Sequence, residues 1–207
     1  TMNRPDKLNA LTDLTQAEIR HALDISERTR EVVGTVITGA GRGFCSGVDM
    51  GALGDMSKAG SLQKKSHDHL AAEPGNPDND PNFKSSPTYF LGLRKPLIAA
   101  VNGACAGLGF SYATFCDMRF VDKKARFITS FGPRGLIAEH GTSWMLPRLV
   151  GPSNALDVLW SSRKMDAEEA FRIGYANRIC EAGDSAIEAR NYLRAIAKTS
   201  APISIMM

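Results

Sequence analysis

The chain has 207 residues, the length of one ordinary domain, and at this size about 70% of the unfolded surface is buried, so a core forms without disulfide or metal staples. Hydrophobic residues make up 43% and charged residues 23%, which excludes a disordered chain, and no apolar run approaches the roughly 20 residues of a membrane span. Lysine plus arginine (25) against aspartate plus glutamate (22) leaves a net charge of +3. The only adjacent lysine pairs are Lys64-Lys65 and Lys123-Lys124, and no basic stripe with interleaved aromatics exists. Neither a nucleic-acid partner nor a membrane is therefore expected.

In chain order, Leu11, Leu14, Ile19, Ala22, Leu23 and Ile25 are spaced for an amphipathic helix within residues 11–30. Val32 to Thr38 is short, β-branched and almost wholly apolar, as in a parallel strand covered on both faces. A glycine-dense loop follows from Gly39 to Gly47. Ser57 to Pro87 is polar and carries Pro74, Pro77, Pro81 and Pro87; it reads as an exposed, mobile insertion with a helical piece at each end. Leu97 to Val101 is a second buried strand, and Gly107 to Cys116 a short helix of small residues. Asp117 to Asp122 and Arg126 to Thr129 read as strands. Helices are expected at Thr142 to Leu149, Pro152 to Trp160 and Asp166 to Ile173. A strand at Asn177 to Glu181 and a helix at Ser185 to Lys198 complete an α/β chain.

Several motifs fail. Thr38-Gly39-Ala40-Gly41-Arg42-Gly43-Phe44-Cys45 approaches a dinucleotide-binding turn, but Cys45 stands where the backbone needs glycine to reach a pyrophosphate. No tyrosine is followed four positions later by lysine. There is no Gly-Lys-Ser/Thr phosphate loop, no His-Glu-x-x-His and no Gly-x-Ser-x-Gly. The four histidines show no ligand spacing, so no metal is expected. The four cysteines (Cys45, Cys105, Cys116, Cys180) form no C-x-x-C pair, and Thr1-Met2-Asn3-Arg4-Pro5 has no secretory pattern. Both suit a reducing, cytoplasmic setting.

Two turns remain that carry chemistry. Gly43-Phe44-Cys45-Ser46-Gly47-Val48-Asp49 and Asn102-Gly103-Ala104-Cys105-Ala106-Gly107-Leu108-Gly109 each follow a buried strand. Turns of small residues let main-chain N–H groups point into a cleft, and two such donors converging on one point make an oxyanion hole. Taken alone, such glycines serve equally well as plain turns.

These segments resemble the crotonase family, the enoyl-CoA hydratases and isomerases. So do Asn3-Arg4-Pro5, Leu8-Asn9-Ala10-Leu11, Lys95 to Gly103, Cys116-Asp117, Gly135 to Glu139, Leu146 to Gly151 and Ala167-Glu168-Glu169-Ala170 leading to Gly174. The resemblance runs in order along nearly the whole chain. It implies a ClpP-like spiral of strand-strand-helix turns with two nearly perpendicular sheets, a core over residues 1–151 with the insertion at about 57–87, and a C-terminal helical region at 152–207 that relatives extend further. It implies acyl-CoA thioesters as partners, with coenzyme A entering as part of the substrate and no permanently bound cofactor, and homotrimers or dimers of trimers.

Carried over position by position, the resemblance makes the backbone N–H groups of Val48 and Leu108 the oxyanion-hole donors. Lys7, Leu8 and Ser46 are implied near the nucleotide and pantetheine arm, although Asp6 stands where hydratases often place lysine. Asp49 and Gly107 flank the donors, with Asp49 read as the anchor of its turn. The two glutamates that hold a water in hydratases correspond to Ser111 and Phe131, neither of them a carboxylate. Glu139 occupies a position that hydratases fill with a small residue and several isomerases with a carboxylate base. It is expected to be catalytic, against the alternative of a solvated acid beside a helix N-terminus. His140 reads as structural or solvent-facing, and Leu136 and Trp144 as acyl-pocket or core residues. The expected activity is conversion of 3-enoyl-CoA to 2-enoyl-CoA through an enolate, with an enoyl-CoA hydratase of fatty-acid oxidation or a non-catalytic acyl-CoA binder as alternatives.

Overall fold

The structure is a computed structural model, and it describes residues 1–49, 51 and 67–206. The chain passes alternately between two four-stranded sheets. Strands β1 (Thr35–Thr38), β3 (Leu97–Val101), β5 (Met118–Asp122) and β8 (Arg178–Cys180) form a fully parallel sheet in that spatial order. Strands β2 (Gly43–Cys45), β4 (Ala104–Ala106), β6 (Arg126–Ile128) and β7 (Met165–Asp166) form the second, parallel except for the antiparallel β6–β7 pair. Each first-sheet strand from β1 to β5 hands the chain directly to a second-sheet strand. Successive passes therefore stack as a spiral.

Helix α1 (Asp13–Arg28) begins where the Thr12 side chain accepts from the Thr15 N–H at 3.2 Å. That cap satisfies one of the free donors of the first turn. Near its other end the buried Glu27 carboxylate accepts from the Arg94 and Lys95 main-chain N–H groups at 3.1 and 3.0 Å, fastening the helix to the approach to β3. Between β4 and β5 lies α2 (Leu108–Phe115), every residue of which is buried. Helices α3 (Thr142–Val150) and α4 (Pro152–Ser161) follow β6, and α5 (Ala167–Arg172) separates β7 from β8. Then come α6 (Ser185–Thr199) and the short α7 (Pro202–Ile205).

The all-apolar run of β3 follows from its position between two layers. Leu97, Ala99 and Val101 face the main core with Phe44, Tyr112 and Phe115, whereas Ile98 and Ala100 pair with Phe120, Ala189 and Leu193 under α6. A strand alternates its side chains with period two, so coverage on both faces demands a continuous apolar run. The guanidinium of Arg119 is buried behind β5, where it donates to the main-chain carbonyls of Cys116 (2.7 Å) and Tyr175.

The expected elements recur with trimmed ends. The strand expected from Val32 starts only at Thr35, just after Gly34, where an added Cβ would lie 2.8 Å from the Leu193 side chain and 2.9 Å from the Pro96 carbonyl oxygen. Strands β2, β4 and β7 were not foreseen from the residues; the first two had read as turns. The first third of the expected insertion, residues 57–66, where its first helical piece was expected, lies outside the described residues. From 67 to 87 the chain makes 3-10 turns at Asp68–Leu70 and Pro81–Phe83 and is tied down by Asn76 N–H to the Gly92 carbonyl (2.8 Å) and by a Ser86–Tyr112 hydroxyl pair. The four cysteine thiols are free and buried, and burial pushes the Cys45 thiol up to about 11.

Backbones touch where the sheets meet the helix. A Cβ on Gly109 would lie 2.4 Å from the Cys45 carbonyl oxygen and 2.7 Å from its sulfur. Gly109→Ala is expected to push α2 off β2 and lower stability by about 3 kcal/mol, as overpacking of a filled core does. The check is a fall in the urea midpoint without a change in slope; an unchanged midpoint contradicts this close packing.

Candidate active site

The two glycine turns meet at one cavity of about 420 Å³. The first turn is held from behind. Leu11 N–H donates to the Gly47 carbonyl (2.7 Å) and Asp49 N–H to the Leu11 carbonyl (2.9 Å), a single parallel bridge between Leu11 and Val48. In such a bridge the residue flanked by the two bonds directs its own N–H to the opposite side. Among the described residues, Val48 N–H has no acceptor. The second turn ends in Gly107, whose N–H donates to the Ile128 carbonyl at 3.0 Å, and Leu108 is the first residue of α2. The first N–H groups of a helix lack intrahelical partners. Among the described residues, Leu108 N–H likewise has no acceptor.

The turns are in close contact. A Cβ on Gly47, whose φ is +105°, would lie 3.2 Å from the Ala106 carbonyl oxygen and 3.5 Å from the Leu108 nitrogen. Glycine is required there both for the left-handed backbone and for the approach. The result is two main-chain donors on one cavity wall, at strand and helix ends where a negatively charged or carbonyl oxygen is favourably received.

Two side chains brace the first turn. Arg4 donates to the Ala10 carbonyl at 2.6 Å and pairs with Asp49 at 2.8 Å, while the other Asp49 oxygen accepts from Gly51 N–H at 2.9 Å. Asp49 thus anchors the turn, with Arg4 as a partner that sequence reasoning did not supply. Asn9, almost fully buried, donates to the carbonyls of Ala40 (2.9 Å) and Gly43 (2.7 Å) and accepts from Arg4 N–H (2.8 Å).

Lys7, Ser46, Val48, Asp49, Gly107, Leu108, Phe131, Leu136 and Glu139 all line this cavity. Phe131 is a buried part of the wall. Glu139 comes from the loop before α3, with its main-chain carbonyl accepting from Thr142 N–H at 3.0 Å and its side chain half-buried. Three expected residues lie elsewhere. Ser111 is fully buried behind the wall, its hydroxyl 2.8 Å from that of Thr142, so it joins α2 to α3 instead of facing a ligand. Leu8 runs along a neighbouring cavity beside Arg42 and Asn102. Trp144 sits on the outer face of α3, its ring 5.9 Å from that of Phe83 and covered by the Arg148 guanidinium at 3.9 Å.

The cavity also takes in Arg134 and His140, which sequence reasoning did not place there. Arg134 sits on a 3-10 turn, Gly132–Arg134, and a lone arginine beside proline carries no sequence signal. His140 had read as structural or solvent-facing; it keeps solvent exposure but, at φ +56°, also lines the same cavity as Glu139, with its Nε2 3.7 Å from a Glu139 oxygen. Among the described residues no cluster of metal-binding side chains occurs, and no helix is long and apolar enough to cross a membrane.

An α/β spiral of two stacked sheets, with paired main-chain donors where two strand-end turns meet, defines the architectural class. The enoyl-CoA hydratase/isomerase profile matches residues 1–207, and the chain belongs to that family. It is 31% identical to a probable peroxisomal enoyl-CoA hydratase of Arabidopsis thaliana, over 96% of this chain and 68% of that protein. It is 32% identical to the 1,2-epoxyphenylacetyl-CoA isomerase of Escherichia coli, over 84% of this chain and 62% of that one. Among solved structures, an enoyl-CoA hydratase of Mycobacterium marinum superposes with a TM-score of 0.74 at 35% identity, over 98% of this chain and 84% of the other. The chain spans about two thirds of the length of the curated relatives it matches.

Gly47→Ala is expected to displace the Leu108 amide, because the added methyl must enter the gap between the turns. The check is the backbone amide spectrum: the Leu108 resonance moves while those of β8 and α6 stay in place. A Leu108 resonance that does not move contradicts the contact.

Proposed function

We propose that this chain processes acyl-CoA thioesters and moves the double bond of a 3-enoyl-CoA to position 2. One observation carries the reading. Glu139, a half-buried carboxylate, shares a cavity with two main-chain N–H groups that have no acceptor among the described residues; Asp49, the other carboxylate there among those residues, is paired with Arg4, and the positions of the hydratase glutamates hold the buried Ser111 and Phe131.

In this reading the thioester oxygen lies between the N–H groups of Val48 and Leu108. The Glu139 carboxylate takes a proton from carbon 2. The electron pair of that C–H bond delocalises through the double bond into a dienolate, whose negative charge gathers on the thioester oxygen. Both donors strengthen as that charge develops, and each is worth about 3 kcal/mol of barrier. Glu139 then gives a proton to carbon 4, and the double bond settles between carbons 2 and 3. Both carbons belong to one face of one bound chain, so one base serves both. Phe131 and Leu136 form an apolar wall for the acyl chain. Lys7 and Ser46 stand at the cavity for the polar arm of coenzyme A, which arrives as part of the substrate, and no resident cofactor is invoked.

The names of relatives include both hydratases and isomerases at about 30% identity. The hydratase reading has its own support in the half-exposed Glu139, which water can reach. Glu139→Gln is expected to lower kcat for 3-enoyl-CoA by about 10²–10⁴-fold with little change in KM, the usual contribution of a positioned general base. Equal rates in the two proteins would remove Glu139 from the mechanism. Faster formation of 3-hydroxyacyl-CoA from 2-enoyl-CoA would favour the hydratase. Binding of CoA esters with no turnover of either substrate would leave only a binder.

Assembly as a homotrimer or a dimer of trimers belongs to the same proposal. The exposed Trp160 and Ile137 support association of several copies, and the number three rests on the resemblance. Light scattering is expected to give three or six times the chain mass; a monomer at micromolar concentration contradicts it. A cytoplasmic location fits the free thiols.

A further inference from the structure

His140 stands in the left-handed region, with φ +56°, and is followed by Gly141 at +73°. A side chain in that region costs about 1–2 kcal/mol relative to glycine, and such strain is typically found at functional positions. Its structural effect is specific. Consecutive side chains usually diverge, yet here Glu139 and His140 line the same cavity, with the imidazole Nε2 3.7 Å from a carboxylate oxygen. A small side-chain rotation brings the two into direct contact. Both side chains keep a solvent path, being 34% and 39% exposed for His140 and Glu139 respectively.

We propose that His140 is a positioning residue for the base: its imidazole receives the proton that Glu139 lifts from the substrate and exchanges it with water. This rests on the isomerase reading above. The steps balance. The carboxylate takes the proton from carbon 2 and becomes a carboxylic acid. That proton passes to the neutral imidazole, leaving carboxylate and imidazolium. The imidazolium releases a proton to water and takes one back, and this proton returns through Glu139 to carbon 4. The net reaction remains an isomerisation, but the incoming hydrogen is the solvent's. Burial lowers the His140 pKa, against the opposing pull of Glu139, which favours the neutral ring that can accept a proton. The other charged groups on the cavity wall are Lys7, Asp49 with its partner Arg4, and Arg134.

The test is isomerisation of a 3-enoyl-CoA in deuterated water, with deuterium at carbon 4 of the product read by mass spectrometry and NMR. His140→Gly removes the imidazole and suits the backbone conformation, so folding is not at risk from strain. The wild type is expected to place solvent deuterium at carbon 4 in most turnovers. His140→Gly is expected to carry a smaller share of that label while still isomerising, since only direct exchange of Glu139 with water remains, and added imidazole to restore it. A residue with a purely structural role would change rates without changing the origin of the hydrogen. Turnover in both proteins with the same deuterium content overturns the relay alone. No isomerase turnover in the wild type overturns the isomerase reading and the relay with it.

Discussion

Backbone touches backbone where the turn after β2 meets the turn before α2, and the rest of the site depends on that contact. Gly47 lies against Ala106, Gly107 and the Leu108 nitrogen, where an added Cβ would sit a tight 3.2 Å from the Ala106 carbonyl oxygen. The same tight fit recurs along the seam between the sheets. A Cβ on Gly39, Gly103 or Gly109 would fall within 2.4 Å of a main-chain oxygen. Close packing of this kind tolerates neither expansion nor drift. It sets the turns that carry the two proposed main-chain donors side by side, with Arg4 and Asp49 bracing the first of them. Asn9, Asn102 and Arg4 complete the seam by taking up loop carbonyls that no strand satisfies.

The proposed chemistry, by contrast, rests on few side chains on the loop before α3. Glu139 and His140 sit between a 3-10 turn and a helix, not on a sheet. Their position is set by Gly141, by the Glu139 carbonyl at the start of α3, and by the Ser111–Thr142 hydroxyl pair that fastens α3 to α2. A substitution on that loop leaves the seam untouched. Relatives of similar identity to this chain are named as hydratases and as isomerases, so one architecture carries more than one named activity.

Much of the fold was legible because its signals are local. The apolar run of β3, the amphipathic spacing of α1 and α6 and the small-residue α2 are each written in consecutive residues. The second sheet was less so. Strands β2, β4 and β7 have only two or three residues each, too short for alternation to register, and β2 and β4 carry the glycine and alanine that also make turns. They are strands because neighbours pair with them.

By itself, the sequence determined an α/β chain and the two glycine turns, while its resemblance to the crotonase family implied the spiral and made Glu139 the candidate base. Only the tertiary structure decided that Ser111 is buried under the wall, that Trp144 lies outside, that Arg4 reaches Asp49, and that His140 and Arg134 join the cavity. The reason is physical. Pattern along a chain reports the environment of an element, but the direction of a single side chain in a loop is set by backbone dihedrals and by contacts with residues remote in sequence. The left-handed His140 shows this most plainly: positive φ occurs in only a few per cent of non-glycine residues, and histidine's enrichment there is too weak to mark the position in advance.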